Sequence, residues 1–471
     1  GRLASGGRTG SMTAAFGATE SVCPVCLRRI PAFRERSGGD MVLVKTCPEH
    51  GEFRAVVWRG APDPESWYGQ KIPSFAGSRE PDVRRGCPLD CGLCPDHRQG
   101  TCTAILEVTM RCDLRCSVCF ADAPGPLGDD PAIGEIEAMC RVVEAAARCN
   151  VQLSGGEPTM RDDLPEIAAM AAKACGGLVQ VNTNGRRLAR DASFARSLAD
   201  SGVSSVFLQF DAADDSVYET LRGRPLMKEK KAAIETCAAA GLGVVLVPTL
   251  VPGVNVAPGP KGHIGAILDF AIAHSPVVRG VHFQPVSRFG RFPGDDRRRV
   301  TLPEVLRLIE DETGGRMKVA DFAPPGCEHS LCSFHGDYLV RGIGDVASLR
   351  PRREDGGCGC ADAGAGRRAA VDYVVRNWGA APGGTGGSDT GGFDAILELC
   401  RKGRFTVSAM AFQDCETLDL ERLRGCCIHV VTRDTAPGGG RTSSGGYRLV
   451  PFCARYCTSL DGTRLYAPHS G

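Results

Sequence analysis

From Thr103 onward, short apolar runs alternate with stretches whose apolar positions recur at helical spacing. The runs AILEVTM (104–110), NVQLS (150–154), LVQVN (178–182), SVFLQF (205–210), VVLVPTL (244–250) and VRGVHFQP (278–285) have the length and β-branched content of buried strands. Between them, 135–148, 164–174, 192–201, 228–240 and 264–274 read as helices. Strand–helix alternation predicts an α/β fold with a parallel sheet, and six strands fit a partial (β/α)6 TIM-like barrel. In such barrels the loops leaving the C-terminal ends of the strands carry the chemistry.

Flanking segments follow another pattern. Residues 13–75 and 76–102 are rich in Cys and Pro with only short strand signals, as in a metal-stabilised N-terminal extension ahead of a core at 103–315. Residues 316–471 form a C-terminal extension, interrupted between about 344 and 392 by a Gly-rich stretch expected to be loop or partly disordered. Residues 1–12 read as a vector remnant.

Composition narrows the picture. Among 471 residues, 56 Lys and Arg against 55 Asp and Glu give a net charge of +1, which removes the electrostatic case for a nucleic-acid partner. Arg297, Arg298 and Arg299 follow Asp295 and Asp296 and are expected in a solvated loop. The longest apolar candidate, Leu242 to Val256, is broken by Gly243, Pro248, Pro252 and Gly253, so no transmembrane segment is expected and peripheral membrane contact stays open. A cytoplasmic location is expected, and 24 cysteines in a reducing compartment point to metal ligation rather than disulfides.

The first predicted strand runs into RCDLRCSVCF, which places Cys112, Cys116 and Cys119 in a Cys-x3-Cys-x2-Cys spacing. Three thiolates on a [4Fe–4S] cube leave one iron without a protein ligand, whereas an electron-transfer cluster or a zinc site wants a fourth ligand nearby. After the second strand comes SGGEP, with Gly155, Gly156, Glu157 and Pro158.

Together the two motifs resemble the radical S-adenosylmethionine (SAM) superfamily. The resemblance implies that SAM chelates the open iron, that an electron from an external donor of ferredoxin or flavodoxin type cleaves it to a 5′-deoxyadenosyl radical, and that the GGEP glycines admit its amino group. It also implies Phe120 beside the adenine, with Asn182 and Asn184 (NTNG) and Gln209 and Asp211 (QFD) facing ribose or substrate; polar loop caps are the alternative for these four. Thr249, His282 and Gln284, with Pro248, are expected on the wall of a mainly apolar substrate cavity, because a primary radical must be shielded from water and competing bonds.

Other cysteines fall into three sets. GCPLDCGLCPDHRQGTC offers Cys87, Cys91, Cys94 and Cys102 to an auxiliary [4Fe–4S] cluster, with zinc as the alternative. CPVC and CPEHG bring Cys23, Cys26, Cys47 and His50 to one mononuclear iron or zinc, as in a rubredoxin-like or zinc-ribbon site. Cys327, Cys332, Cys426 or its neighbour Cys427, and Cys453 are candidates for a second auxiliary cluster. Cys140, Cys149, Cys175 and Cys237 lie on helical patterns and read as small core residues, while Cys358 and Cys360 stand in the Gly-rich stretch.

CPVC, CPEHG, GCPLDCGLCPDH, LVPTLVPGVN, VHFQPV and the tail with VPFC resemble the tetraether lipid synthase-like branch of the superfamily. That resemblance implies three clusters and a mononuclear metal. It also implies hydrogen abstraction from an unactivated C–H bond of a small-molecule or lipid-like substrate, followed by C–C, C–methyl or C–S bond formation; C-methyltransferases of pterin-type cofactors are among the relatives. A peptide-modifying maturase and a polyferredoxin-like electron carrier are the competing functions.

Overall fold

The computed structural model describes residues 15–68, 83, 85–146, 148–256, 262–292, 298–342, 344–350, 363–380, 400–433 and 446–466. Four antiparallel strands come first: β1 (Gly17–Val22), β2 (Arg29–Ser37), β3 (Asp40–Cys47) and β4 (Gly51–Arg59), paired in sequence order. In such a meander the β1–β2 and β3–β4 connections lie at the same end, which brings CPVC and CPEHG together. Ala32, Met41, Leu43 and Trp58 are buried beneath it.

The six expected strands form within two residues of their predicted limits: β5 (Thr103–Thr109), β6 (Cys149–Gly155), β7 (Gly176–Thr183), β8 (Val203–Gln209), β9 (Gly243–Val247) with the short β10 (Thr249–Leu250), and β11 (Val278–Pro285). They run parallel in the order β5, β6, β7, β8, β9, β11. One face of each strand packs on the helices; Leu106, Val151, Val181, Val206, Leu246 and Val281 meet Ile136, Ile167, Leu198, Ile234 and Ile267 in one core. Apolar burial of that kind contributes about 1.5–3 kcal/mol per side chain. Cys140, Cys149, Cys175 and Cys237 belong to this core, as their patterns predict.

The C-terminal segment extends the same sheet at both edges. After β12 (Ser333–Gly342) and β13 (Asp345–Ser348), β14 (Arg404–Met410) joins parallel to β11, while β15 (Ile428–Arg433) joins parallel to β5 and β16 (Tyr447–Pro451) pairs outside it. Residues 411–427 therefore pass from one edge of the sheet to the other. Within the Gly-rich stretch expected to be loop, β13 and a helix at Ala363–Trp378 are formed. That helix closes the mouth at the strands' N-terminal ends: Arg279 donates to the Asn377 carbonyl (3.3 Å), and Ala380 N donates to Ser204 O (3.2 Å). Gly243 is required there, since a Cβ would lie 2.8 Å from Trp378 O. Arg299, expected in a solvated loop, is instead half-buried and paired with Asp414 at 2.6 Å. Arg297, Cys358 and Cys360 lie outside the described residues.

Candidate functional site

Thr109 ends β5 and the chain turns into the loop of Cys112, Cys116 and Cys119. Backbone bonds hold this loop: Cys112 N donates to Gly125 O (2.7 Å), and Cys119 and Arg291 exchange bonds at 2.7 and 3.0 Å. Arg291 also donates to the Cys116 carbonyl (2.8 Å). Burial pushes the Cys112 thiol up to about 12, a strong preference for a neutral group that a bound metal would relieve. Cys116 and Cys119 are partly exposed. The three thiols on one short, pinned loop fit a cube with one iron left over.

The GGEP glycines pack where side chains have no room. A Cβ at Gly155 (φ +126°) would sit 1.9 Å from Thr109 O, and one at Gly156 would sit 2.3 Å from Arg111 O. They let the end of β6 close onto the strand that carries the cysteines. Glu157 is buried and accepts from Thr183 Oγ1 (2.6 Å) and from Asn184 N (2.7 Å), which ties the ends of β6 and β7 together. Burial raises its carboxyl, while these donors and Thr159 act to lower it.

At the end of β8, Asp211 forms a bidentate pair with Arg222, both contacts at 2.8 Å. Arg222 also donates to Val118 O (3.1 Å), so its charge lies against the cysteine loop, within electrostatic reach of Cys116. Thr249 supplies its amide to Asp211 and its hydroxyl to Arg222. Lys230 donates to Asn184 O (2.7 Å) and Gln209 Oε1 (2.9 Å); burial brings its ammonium down to about 7. Asn184 Nδ2 reaches Asp113 at 2.7 Å. Arg222, Lys230 and Arg291 carry no motif, and their roles emerge only from proximity. Phe120 lies edge-on to Tyr456, with centroids 5.0 Å apart, and Tyr456 donates to the buried Glu107 at 2.8 Å.

Inside the barrel, on the strand faces turned away from the helices, β6 and β7 contribute amides while β8 and β9 contribute Phe207 and Val245. Asn182 donates to Gln152 (3.3 Å), Gln152 to Gln180 (3.2 Å) and Gln180 to Ser205 (3.1 Å). His282 meets Ser408 Oγ at 2.8 Å, and burial lowers its pKa to about 4, leaving it neutral. Phe207 and Trp378 add aromatic walls, 5.1 Å between centroids. Asn182 Oδ1 and Trp378 Nε1 are buried with no hydrogen-bond partner. His282, expected on the wall of a mainly apolar cavity, stands instead beside Ser408, Phe207 and Trp378. Inward positions alternate with the helix-facing apolar ones, and on β6 and β7 those inward positions hold amides. Gln284, paired in register with Thr249 and partly exposed, stands at the rim.

The cysteine groups differ in part from those expected. Cys23, Cys26, Cys47 and His50 converge, with Cys47 Sγ to His50 Nδ1 at 3.4 Å and Cys26 to Cys47 at 4.0 Å. Cys87, Cys91 and Cys94, whose spacing repeats that of Cys112, Cys116 and Cys119, line a small recess with His97 and Arg424. Cys102 is not with them. It packs on Cys327 (3.1 Å), which in turn meets Cys427 (3.4 Å), because Cys102 and Cys427 enter the neighbouring strands β5 and β15 side by side. Cys332, Cys426 and Cys453 remain within electrostatic reach of one another, without Cys327.

Residues 106–258 match the Radical SAM superfamily, and residues 15–59 match the HMPTM N-terminal zinc ribbon domain. The chain is 39% identical over 318 residues to 7,8-dihydro-6-hydroxymethylpterin dimethyltransferase of Methanocaldococcus jannaschii, an alignment covering 65% of this chain and 60% of that relative's length. It is 26% identical over 234 residues to GTP 3′,8-cyclase of Chlorobaculum tepidum, covering 48% of this chain and 68% of that protein. Among solved structures, SuiB of Streptococcus suis aligns over 45% of both chains at 18% identity and a TM-score of 0.37. No described helix is long and apolar enough to cross a membrane.

Proposed function

We propose that this radical SAM enzyme, which carries an N-terminal zinc ribbon, methylates carbon on a small polar heterocycle of the pterin kind. The observation that carries the reading is the amide and aromatic part of the lumen: amides from Gln152, Gln180 and Asn182, neutral His282 and the aromatic faces of Phe207 and Trp378 suit a flat, hydrogen-bonding ring better than an alkyl chain. Two matches favour the same chemistry, the pterin dimethyltransferase and the HMPTM zinc ribbon. The motifs shared with tetraether lipid synthase-like proteins supply a second reading, lipid coupling, which the lumen's amides disfavour.

Cys112, Cys116 and Cys119 would hold the cluster, which with SAM supplies the 5′-deoxyadenosyl radical. The chain's own part is positioning and exclusion. Gly155 and Gly156 close the β6 loop onto the cysteine strand, and Glu157 fixes the β7 loop beside it. Arg222, held on the cysteine loop through Val118 O, would supply positive charge to bound SAM, and Lys230 ties the β7 loop to Gln209. The unpartnered Asn182 Oδ1 and Trp378 Nε1 are an acceptor and a donor that a heterocycle edge can satisfy. The helix ending at Trp378 seals the far mouth from water.

The test is anaerobic, reconstituted protein with dithionite, SAM and ring- or side-chain-deuterated 7,8-dihydro-6-hydroxymethylpterin. Expected are pterin-stimulated 5′-deoxyadenosine, deuterium in that product and loss of both in Cys116→Ala. Turnover indifferent to pterin but stimulated by an alkyl lipid would replace the reading with the second one.

A further inference from the structure

We infer that Cys102, Cys327 and Cys427 hold a single thiophilic cation, zinc or ferrous iron, in a second mononuclear site distinct from the zinc ribbon and from any iron–sulfur cube. The argument begins with spacing. Metal–sulfur bonds of about 2.3 Å in a tetrahedral site put two thiolates roughly 3.8 Å apart. Cys102 to Cys327 is 3.1 Å and Cys327 to Cys427 is 3.4 Å. The zinc-ribbon residues of the same molecule stand 3.4 to 4.0 Å apart along the contacts from Cys47 to His50 and to Cys26. Among the described residues, these are the two groups of three or more metal-ligating atoms that all lie within 4.8 Å of one another. Thiolates on separate irons of a cube stand much further apart than this, and the catalytic triad is not among such groups.

A disulfide does not account for the arrangement either. Both separations exceed the roughly 2.05 Å of a sulfur–sulfur bond, and the group contains three sulfurs, not two. Its framework is fixed by backbone: Cys102 N donates to Cys427 O at 2.8 Å, and Thr103 pairs with Ile428 in the adjoining ladder. Cys327 comes from the loop ahead of β12. All three are fully buried against Val371, with Ala370 and Ile428 around them. Three thiols buried together are costly to ionise, and a dication offsets that cost. Three protein thiolates leave the fourth position to water or a small exogenous ligand.

The experiment compares metal with acid-labile sulfide in the full chain, purified and reconstituted anaerobically. Cubes carry iron and sulfide in equal number, so zinc plus iron in excess of sulfide counts mononuclear ions. The expected excess is about two per chain, falling to about one in Cys327→Ser and in Cys102→Ser with sulfide unchanged. An excess of about one in the wild-type protein overturns the proposal, as does loss of about four irons and four sulfides in either variant, which would place the trio on a cube. Should both variants fail to fold, X-ray absorption of the cobalt-loaded wild-type protein decides: two cobalt ions per chain in sulfur-rich coordination support the site, and one refutes it.

Discussion

At the scale of single residues, buried charge dominates around the cysteine loop. Arg222 is paired with Asp211 and braced against Val118 and Cys116, so Arg222→Met would leave a buried carboxylate unpaired. We expect a loss of about 3–5 kcal/mol, read by anaerobic chemical denaturation, with Arg222→Lys restoring only part because an ammonium cannot make the bidentate contact. His282 gives a pH signature. Its folded pKa of about 4 lies below the ordinary imidazole value, so the unfolded chain takes up the proton first. Its contribution is complete above about pH 6.5 and is lost as pH falls from there towards 4, up to about 3 kcal/mol. Denaturation midpoints between pH 7 and about 5 should fall less steeply in His282→Gln than in the wild type.

At the scale of elements, the strands were legible because each buried parallel strand is a near-continuous apolar run bounded by turn signals. VVLVPTL and SVFLQF needed no partner to be recognised. What lines the lumen was not legible: Gln152, Gln180 and Asn182 sit inside such runs, and only the register of β6 on β7 shows that they meet. The helix at Ala363–Trp378 was hidden by glycine-rich flanks that outweigh its own alanines and valines. The β6 loop offers a sharp test. Gly155→Ala demands a left-handed φ and drives a carbon into Thr109 O, so soluble yield should collapse. Gly253→Ala, with φ +73° but nothing within 4 Å, should cost only about 1 kcal/mol in thermal stability. The zinc ribbon should respond to chelation by losing order across β1–β4, read as protease cuts between Arg29 and Arg59 with cluster sulfide retained in the barrel.

At the scale of the whole molecule, the cysteines show where sequence reasoning stops. The triads at 112–119 and 87–94 and the knuckles at 23–26 and 47–50 are local, and spacing alone reveals them. The partners of Cys102 lie 225 residues away at Cys327 and further on at Cys427, and no spacing rule joins them. Topology does, because β14 and β15 flank the six-stranded core from one late segment. A fragment ending at residue 315 would bare the pairing edges of β5 and β11, and we expect it in the insoluble fraction while the full chain is soluble. The same late strands impose an order on biosynthesis. Thr19 bonds Asp419 across 400 residues, so the residues that finish the seam are made long after the zinc ribbon has emerged. Iron and zinc that arrive before β14 and β15 are made would meet open thiols with no finished cage, so metal loading is expected to follow synthesis of these late strands.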